Sequence, residues 1–155
     1  MKRFLAYFIL LLLISLTSCT LNKNSSKDIF HYKNANIGNN SAVGSIIKQL
    51  PNHKEFNQMS LQTKKKPYGM TIYYKNLPAN TNNIVINNAT YLFALIKNVD
   101  WIVFDFADQK FTVKRQQLDE WYGKDLSSYT NEKELEELIH TNLIDKSKVN
   151  QLFKK

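Results

Sequence analysis

The chain has 155 residues, a formal charge of +8 at pH 7 and a sequence pI near 9.5. This length suits one domain with its own core, and a single cysteine excludes an internal disulfide. The charge is uneven, because residues 19–99 carry ten lysines and two acids (+8) whereas residues 100–155 carry nine basic residues and eleven acids (−2). The basic half predicts attraction to anionic lipid or wall polymer, or simply a solvated surface rich in lysine.

The N-terminal residues have the pattern of an export signal. Lys2 and Arg3 precede an apolar stretch at residues 4–16, which is shorter than the roughly 20 residues of a membrane-spanning helix. Small or hydroxylated residues then lead to Cys19, and this arrangement resembles the lipobox of bacterial lipoproteins. The resemblance implies a diacylglycerol on the cysteine thiol and cleavage between Ser18 and Cys19. An uncleaved membrane helix and an ordinary signal peptide with a coincidental cysteine are the alternatives.

This signal divides the chain into three predicted parts. Residues 1–18 form the signal peptide, residues 19–30 form the lipidated N-terminus and a polar tether, and residues 31–155 form a single α+β domain with a helical C-terminal tail. Two acyl chains give stable anchoring. We therefore expect a monomeric protein held at the extracytoplasmic face of the cell membrane through its Cys19 lipid. Nucleic acid is not expected as a partner of an exported protein.

Two stretches of the chain share a pattern of helix followed by hairpin. Each opens with a pair of asparagines, at residues 39–40 and 87–88, and continues with apolar residues at helical spacing. Asparagine is a good helix cap, so we predict that each pair begins a helix. We interpret the two units as a weak internal duplication, with convergence on a common capping pattern as the alternative.

Each predicted helix is followed by alternating residues typical of two strands. The first hairpin covers residues 56–74 and turns at residues 65–69, where a proline and a glycine lie two places apart. The second hairpin covers residues 101–113 and turns at residues 108–109. The polar Asp105 predicts that the strand face carrying Trp101 reaches solvent at one end.

The C-terminal part is predicted to be helical. One helix covers residues 114–122 and ends at Gly123, a second covers residues 129–140, and Asp145 caps a short amphipathic tail. We expect this tail to pack on the core, with membrane contact as the alternative. The predicted fold class is α+β, with a four-stranded antiparallel sheet from two helix–hairpin units, helices mainly on one face, and a helical C-terminal extension.

The chain carries no familiar catalytic motif. Patterns such as GxGxxG, HExxH, GxSxG and CxxC are missing from the sequence. His31, His53 and His140 have no histidine or cysteine at the spacing of zinc ligands. A glycosidase-like site would require Asp100 and Asp105 to meet other acids in space, although both positions also suit a strand and its edge. We therefore predict a protein that is not an enzyme and that needs no cofactor or metal.

The turn of the first hairpin is the best candidate contact point, although adjacent lysines on a turn are also typical of a merely solvated loop. Its candidate partner-binding residues are Lys64, Lys65, Lys66 and Tyr68. Aromatic residues at strand positions provide either a binding surface or core packing. The three aromatic candidates on the strands are Tyr73, Tyr74 and Trp101.

Four stretches together resemble the bacterial lipoprotein family of the domain of unknown function 4825. They are residues 37–44 (IGNNSAVG), 66–72 (KPYGMTI), 95–100 (LIKNVD) and 121–126 (WYGKDL), and the resemblance extends over about residues 34–145. The family pattern has an aspartate where this chain has Asn39, so a ligand role of that carboxylate does not transfer. In this family the domain occurs in lipoproteins and beside membrane metallopeptidases of the antibiotic-sensor type. The resemblance thus implies an extracytoplasmic sensing or binding module.

We expect a membrane-anchored accessory lipoprotein that binds a membrane protein or an envelope polymer. The lipid would confine the domain and raise the effective concentration of its partner. The first alternative is a small-ligand sensing domain, which a deep pocket lined by Tyr73, Tyr74 and Trp101 would favour. The second is a hydrolase or a protein that modulates a peptidase, which converging carboxylates would favour. A flat apolar patch would favour the accessory role.

Overall fold

The computed structural model describes residues 28–154. The predicted signal peptide that ends at Ser18, the predicted lipidation site Cys19 and the predicted tether up to Lys27 lie outside the described residues. The described chain begins with a 3₁₀ turn at Ile29–Tyr32, which Asp28 caps by accepting a hydrogen bond from the Phe30 amide. Ile29 and Phe30 are both buried in the core of the domain.

Five α-helices and four β-strands follow along the described chain. They are α1 (Asn40–Ile47), β1 (Phe56–Gln62), β2 (Gly69–Tyr74), α2 (Thr81–Leu95), β3 (Trp101–Asp105), β4 (Lys110–Lys114), α3 (Arg115–Tyr122), α4 (Glu132–Leu143) and α5 (Lys146–Phe153). Two further 3₁₀ turns lie at His53–Glu55 and Leu126–Ser128. No helix within residues 28–154 combines the length and the apolarity needed to cross a membrane.

The strands form one mixed sheet in the order β1-β2-β3-β4. Both predicted hairpins are confirmed, since β1 is antiparallel to β2 and β3 is antiparallel to β4. β2 and β3 run parallel, so the predicted antiparallel sheet is wrong at its centre. The physical reason is α2, which returns the chain from the end of β2 to the opposite end of the sheet, and such a crossover makes the next strand parallel. The α+β class and the helical C-terminal region are confirmed.

One face of the sheet, which we refer to as the covered face, contributes its side chains to the core. Its buried residues are Met70, Ile72, Tyr74, Ile102, Phe104, Phe111 and Val113. α2 packs against α1, α4 and α5, and twelve of its fifteen residues are buried. A helix with apolar residues on nearly all sides is typical of such a central position.

The two asparagine pairs have different structural roles. Asn39 caps α1 as predicted, because its side-chain oxygen accepts a hydrogen bond from the Ala42 amide at 3.1 Å. Asn87 and Asn88 lie inside α2, which already begins at Thr81, so the predicted cap at the second pair is wrong. The two helix–hairpin units therefore differ at the position where their sequences are most alike.

Asn88 links α2 to the sheet through buried hydrogen bonds. Its amide nitrogen donates to the carbonyl oxygen of Pro51 at 3.0 Å and to the hydroxyl of Tyr74 at 3.3 Å. Burial raises the pKa of Tyr74 to about 12, against a small opposing effect of the hydrogen bond from Asn88. Two residues later, the Thr90 hydroxyl lies 2.9 Å from the Tyr122 hydroxyl. These pairs satisfy polar groups that would be costly to bury alone.

The predicted C-terminal helices are confirmed with small changes of boundary. α3 ends at Gly123, whose positive φ of 69° suits a residue without a Cβ atom. α4 begins after its cap Asn131 rather than at residue 129, and Asp145 caps α5. The tail packs on the core, as expected, because Val149 and Leu152 are buried.

Candidate functional site

The second face of the sheet is accessible to solvent, and its side chains align in rows across the four strands. The three rows are Gln58-Tyr73-Asp105-Lys110, Ser60-Thr71-Val103-Thr112 and Gln62-Gly69-Trp101-Lys114. We refer to these three rows as the open face. Its outer strands present mostly polar residues, whereas its central strands add three larger side chains that are half-buried. These side chains are Tyr73, Trp101 and Val103.

Trp101 is the largest side chain of the open face, and the backbone holds it in place. Its indole covers Gly69, because a Cβ atom added at that glycine would lie 2.0 Å from Cε2 of the ring. Only glycine permits this close approach. The indole nitrogen of Trp101 donates to the carbonyl oxygen of Pro67 at 3.1 Å. The ring is therefore fixed between the sheet and the turn of the first hairpin.

The predicted contact residues lie at the same end of the open face as Trp101. Lys64, Lys65 and Lys66 are exposed on the turn, and Tyr68 is half-buried. The ammonium of Lys66 lies 5.9 Å from the centre of the Tyr68 ring, which is close enough for a weak cation–π contact. The Tyr68 amide donates to the carboxylate of Asp100 at 2.7 Å and ties the turn to the start of β3. The structure thus brings Lys66 and Trp101 together, whereas Tyr68 packs partly against the core.

A cleft of about 740 Å³ lies between this turn and the start of α3. Its charged and aromatic lining residues include Lys66, Asp100, Trp101, Lys114, Asp119 and Glu120. The carboxylate of Asp119 accepts a hydrogen bond from the Leu126 amide, and Glu120 accepts one from Gln116. Burial raises the pKa of Asp119, an effect that the Leu126 amide and Arg115 oppose. The cleft therefore presents mixed charges around an aromatic wall.

Two cations stabilise the C-terminal end of α2 beside the cleft. The guanidinium of Arg115 donates to the carbonyl oxygens of Phe93, Ile96 and Val99 at 2.8, 2.7 and 2.9 Å. Lys33 donates to the carbonyl oxygen of Ala94 at 2.7 Å, and burial lowers the pKa of this lysine. Such groups satisfy the free carbonyls of a helix end and suit its negative dipole. Arg115 thus has a structural role in the wall of the cleft.

Other residues singled out from the sequence do not join this site. Asp100 immediately precedes β3 and Asp105 is its last residue, and Asp105 is buried in an ion pair of 2.9 Å with Lys110. Tyr74 lies on the covered face, so the three candidate aromatic residues do not line one pocket. Within residues 28–154, no group of three or more histidine, cysteine or acidic side chains is placed to hold a metal ion.

The sequence analysis missed a larger depression, which we refer to as the α2–α4 groove. It has a volume of about 1190 Å³, and its polar lining includes Asn83, Asn87, Tyr91, Glu132, Glu136 and His140. Each helix contributes residues four positions apart, which lie on one face of a helix. This spacing in α2 was the available signal, but our interpretation of residues 87–88 as a cap concealed it.

The comparisons with known proteins give one match. A family model described as a domain of unknown function (DUF4825) matches residues 29–117 of this chain. The match covers the first 3₁₀ turn, the whole sheet and the start of α3, so it includes three of the four stretches on which the resemblance depends. The stretch at residues 121–126 lies beyond it. No curated protein and no solved structure matches the chain.

Proposed function

This chain belongs to the DUF4825 family, and we propose that it is a membrane-anchored extracytoplasmic lipoprotein that binds a partner at the cell envelope through its open face. The observation that carries this proposal is the fixed indole of Trp101 beside the basic turn. Tryptophan, tyrosine and exposed polar groups together are typical of binding surfaces, where a few aromatic residues supply much of the affinity.

The size of the open face indicates a weak contact that extends onto the turn. Strands lie about 4.8 Å apart and alternate residues about 7 Å apart, so three rows of four residues cover roughly 400 Å². A standard interface buries about 800 Å² on each partner. Lysines 64–66 and the cleft would have to contribute as well, and the affinity of the free domain should be modest.

The proposed lipid at Cys19 compensates for a weak contact. Tethering two binding partners to one membrane makes their encounter effectively intramolecular and can raise the apparent affinity by about 10²–10⁴-fold without any new contact. A membrane protein or an envelope polymer is therefore the expected partner. The open face would supply recognition, and the anchor would supply concentration.

A small-ligand sensing role is the second candidate, and the cleft favours it. Its volume of about 740 Å³ lies within the roughly 300–1,000 Å³ range of ligand pockets. Trp101 would provide an apolar wall, and Lys66 and Lys114 would provide charge near a ligand.

Crosslinking in cells tests the role of the open face. A photoreactive residue at Thr112, an exposed position in the middle row, should capture a partner, and one at the exposed Gln151 of α5 should not. The capture should decrease at least tenfold when lysines 64–66 are replaced by glutamine, a change that leaves the core untouched. Equal capture from Thr112 and Gln151 would refute binding by this face. Capture from neither position would favour the ligand-sensing role.

Membrane fractionation tests the anchor separately. Cys19→Ala should release the protein from the membrane or leave its signal uncleaved, with Cys19→Ser as a second variant of similar size. The crosslink from Thr112 should weaken in parallel, because the effective concentration of the partner falls. A Cys19→Ala protein that loses its signal and still fractionates with the membrane would show that the anchor lies elsewhere.

A further inference from the structure

The α2–α4 groove lies apart from the open face and has a lining that changes along its length. At one end, the Tyr91 hydroxyl lies 3.5 Å from a carboxylate oxygen of Glu132 and 3.4 Å from one of Glu136. Amide side chains of α2 occupy the middle. At the other end lie Leu143 and Ile144, and Ile144 is 68 % exposed. Along α4 the lining therefore changes from acidic to apolar, and Ile29, Leu50, Pro51 and Ile139 add further apolar lining.

Asn83, one of the amides in the middle, has no structural task that explains it, whereas Asn87 also donates to the buried side-chain oxygen of Asn88. Asparagine is a poor helix former, so its presence inside a helix usually reflects another requirement. Asn88 meets a structural requirement in the core. Asn83, by contrast, makes no side-chain hydrogen bond among the described residues, and Asn87 makes only one, to Asn88 at 3.3 Å. Both remain half-buried in the groove wall, with donors and acceptors available to a ligand.

The acidic end of the groove holds several carboxylates close together. Burial, together with the neighbouring carboxylates of Glu136 and Asp28, raises the pKa of Glu132. Glu137 also lines the groove, and Lys133 is the one lysine in its lining. Like charges held close together repel, and a bound cation would relieve that repulsion.

We infer that the α2–α4 groove binds an extended segment of a partner protein that carries a lysine or arginine at one end and apolar residues at the other. The basic side chain would lie between Glu132 and Glu136, and the apolar residues would cover Ile144. Unpaired peptide groups of the segment would bond to Asn83 and Asn87. α4 is about 18 Å long at 1.5 Å per residue, which corresponds to an extended segment of about five or six residues.

Binding of a labelled hexapeptide to the full-length protein in detergent micelles tests this inference by fluorescence anisotropy. The peptide KKSSLL should bind, and EESSLL should bind at least tenfold more weakly. Lysine amide, a small amine, is measured in the same way to test whether the groove binds small amines rather than a peptide segment. Equal affinity for lysine amide and KKSSLL would assign the groove to small amines and overturn the inference, as would equal affinity for the two peptides.

Matched variants distinguish binding in the groove from a general effect of the protein's net charge. Glu132→Gln with Glu136→Gln should weaken KKSSLL at least tenfold. Asp108→Asn with Glu134→Gln makes the same change of net charge outside the groove and should alter binding less than twofold. An equal loss of peptide affinity in the two double variants would show that only general charge attraction is at work, and it would refute the site.

The amide of Asn83 gives a second and independent test. Asn83→Ala should weaken the peptide at least fivefold while raising the melting temperature, because alanine is the better helix former and the Asn83 side chain makes no hydrogen bond among the described residues. A purely structural role would lower the melting temperature, and unchanged binding would refute the role of this amide. Replacing lysines 64–66 with glutamine should leave peptide binding unchanged. The proposal for the groove and the proposal for the open face can therefore be refuted separately.

Discussion

The covered face and the open face are made from the same strands, yet their side chains obey different constraints. On the covered face, Met70, Ile72 and Phe104 have no exposed surface, and tight packing determines their size and shape. On the open face, neighbouring positions such as Tyr73 and Val103 are half-buried, and packing leaves their identity freer. Residues that packing does not determine are the better indicators of binding. This difference directs attention to the rows of the open face.

The largest expected contrast comes from adjacent residues of β3. Phe104→Ala removes a fully buried ring and leaves a cavity, so we expect a loss of about 3–5 kcal/mol in the free energy of unfolding. Val103→Ala, on the open face, should cost about 1 kcal/mol or less. Urea denaturation of both variants measures the contrast. Similar losses would show that something also buries the open face.

The neighbouring tyrosines of β2 extend the comparison to alkaline pH. The pKa of Tyr74 is about 12 in the folded protein and about 10 in the unfolded chain, so folding favours the neutral phenol. The raised pKa of Tyr74 contributes about 2–3 kcal/mol at most to the free energy of unfolding. This contribution is fully present below pH 10 and is lost as the pH rises through 12.

Between pH 10 and 12, the Tyr74→Phe variant should therefore lose less stability than the wild type, by up to about 2–3 kcal/mol. Tyr73→Phe, at the adjacent position on the open face, is the matched control. Denaturation midpoints measured across this range give the profiles. Superimposed profiles for the wild type and Tyr74→Phe would contradict the expectation.

A smaller effect is expected where the open face is most tightly packed. Gly69→Ala places a methyl group where the indole of Trp101 lies, so the ring must move away, at a cost of about 1–2 kcal/mol. The displaced indole should also shift the tryptophan emission to longer wavelength. Gly38→Ala is the control, because an added Cβ atom there meets nothing within 4 Å. A Gly69→Ala protein as stable as Gly38→Ala, with an unchanged spectrum, would contradict the described packing.

Local signals predicted most of the fold correctly. Alternation at residues 56–74 and 101–113 identified both hairpins, and the capping residues Asn39, Gly123 and Asp145 marked helix ends. These signals depend on neighbours along the chain and are visible in a sequence. The parallel pairing of the two central strands depends on a crossover over more than twenty residues, which no local pattern encodes.

The extent of α2 and the sites were harder to predict for related reasons. The sequence TNNIVINN at residues 81–88 is unfavourable for a helix, and tertiary burial of Ile84, Val85 and Ile86 overrides that preference. The basic turn was identified from its composition. Its neighbours Gly69 and Lys114 join Trp101 only through strand register, which a sequence does not reveal directly. The α2–α4 groove depends on contacts between distant helices.

The order of the strands also determines which backbone groups are left unpaired at the margins of the sheet. β1 and β4 are the edge strands, and an edge can recruit a strand of another molecule and start aggregation. β4 has a lysine at each end, Lys110 and Lys114, and β1 carries an irregularity of register between Phe56 and Gln58. Charges and bulges both discourage such pairing. A protein that the proposed lipid confines to a membrane would meet its own copies often, and these margins would keep them apart.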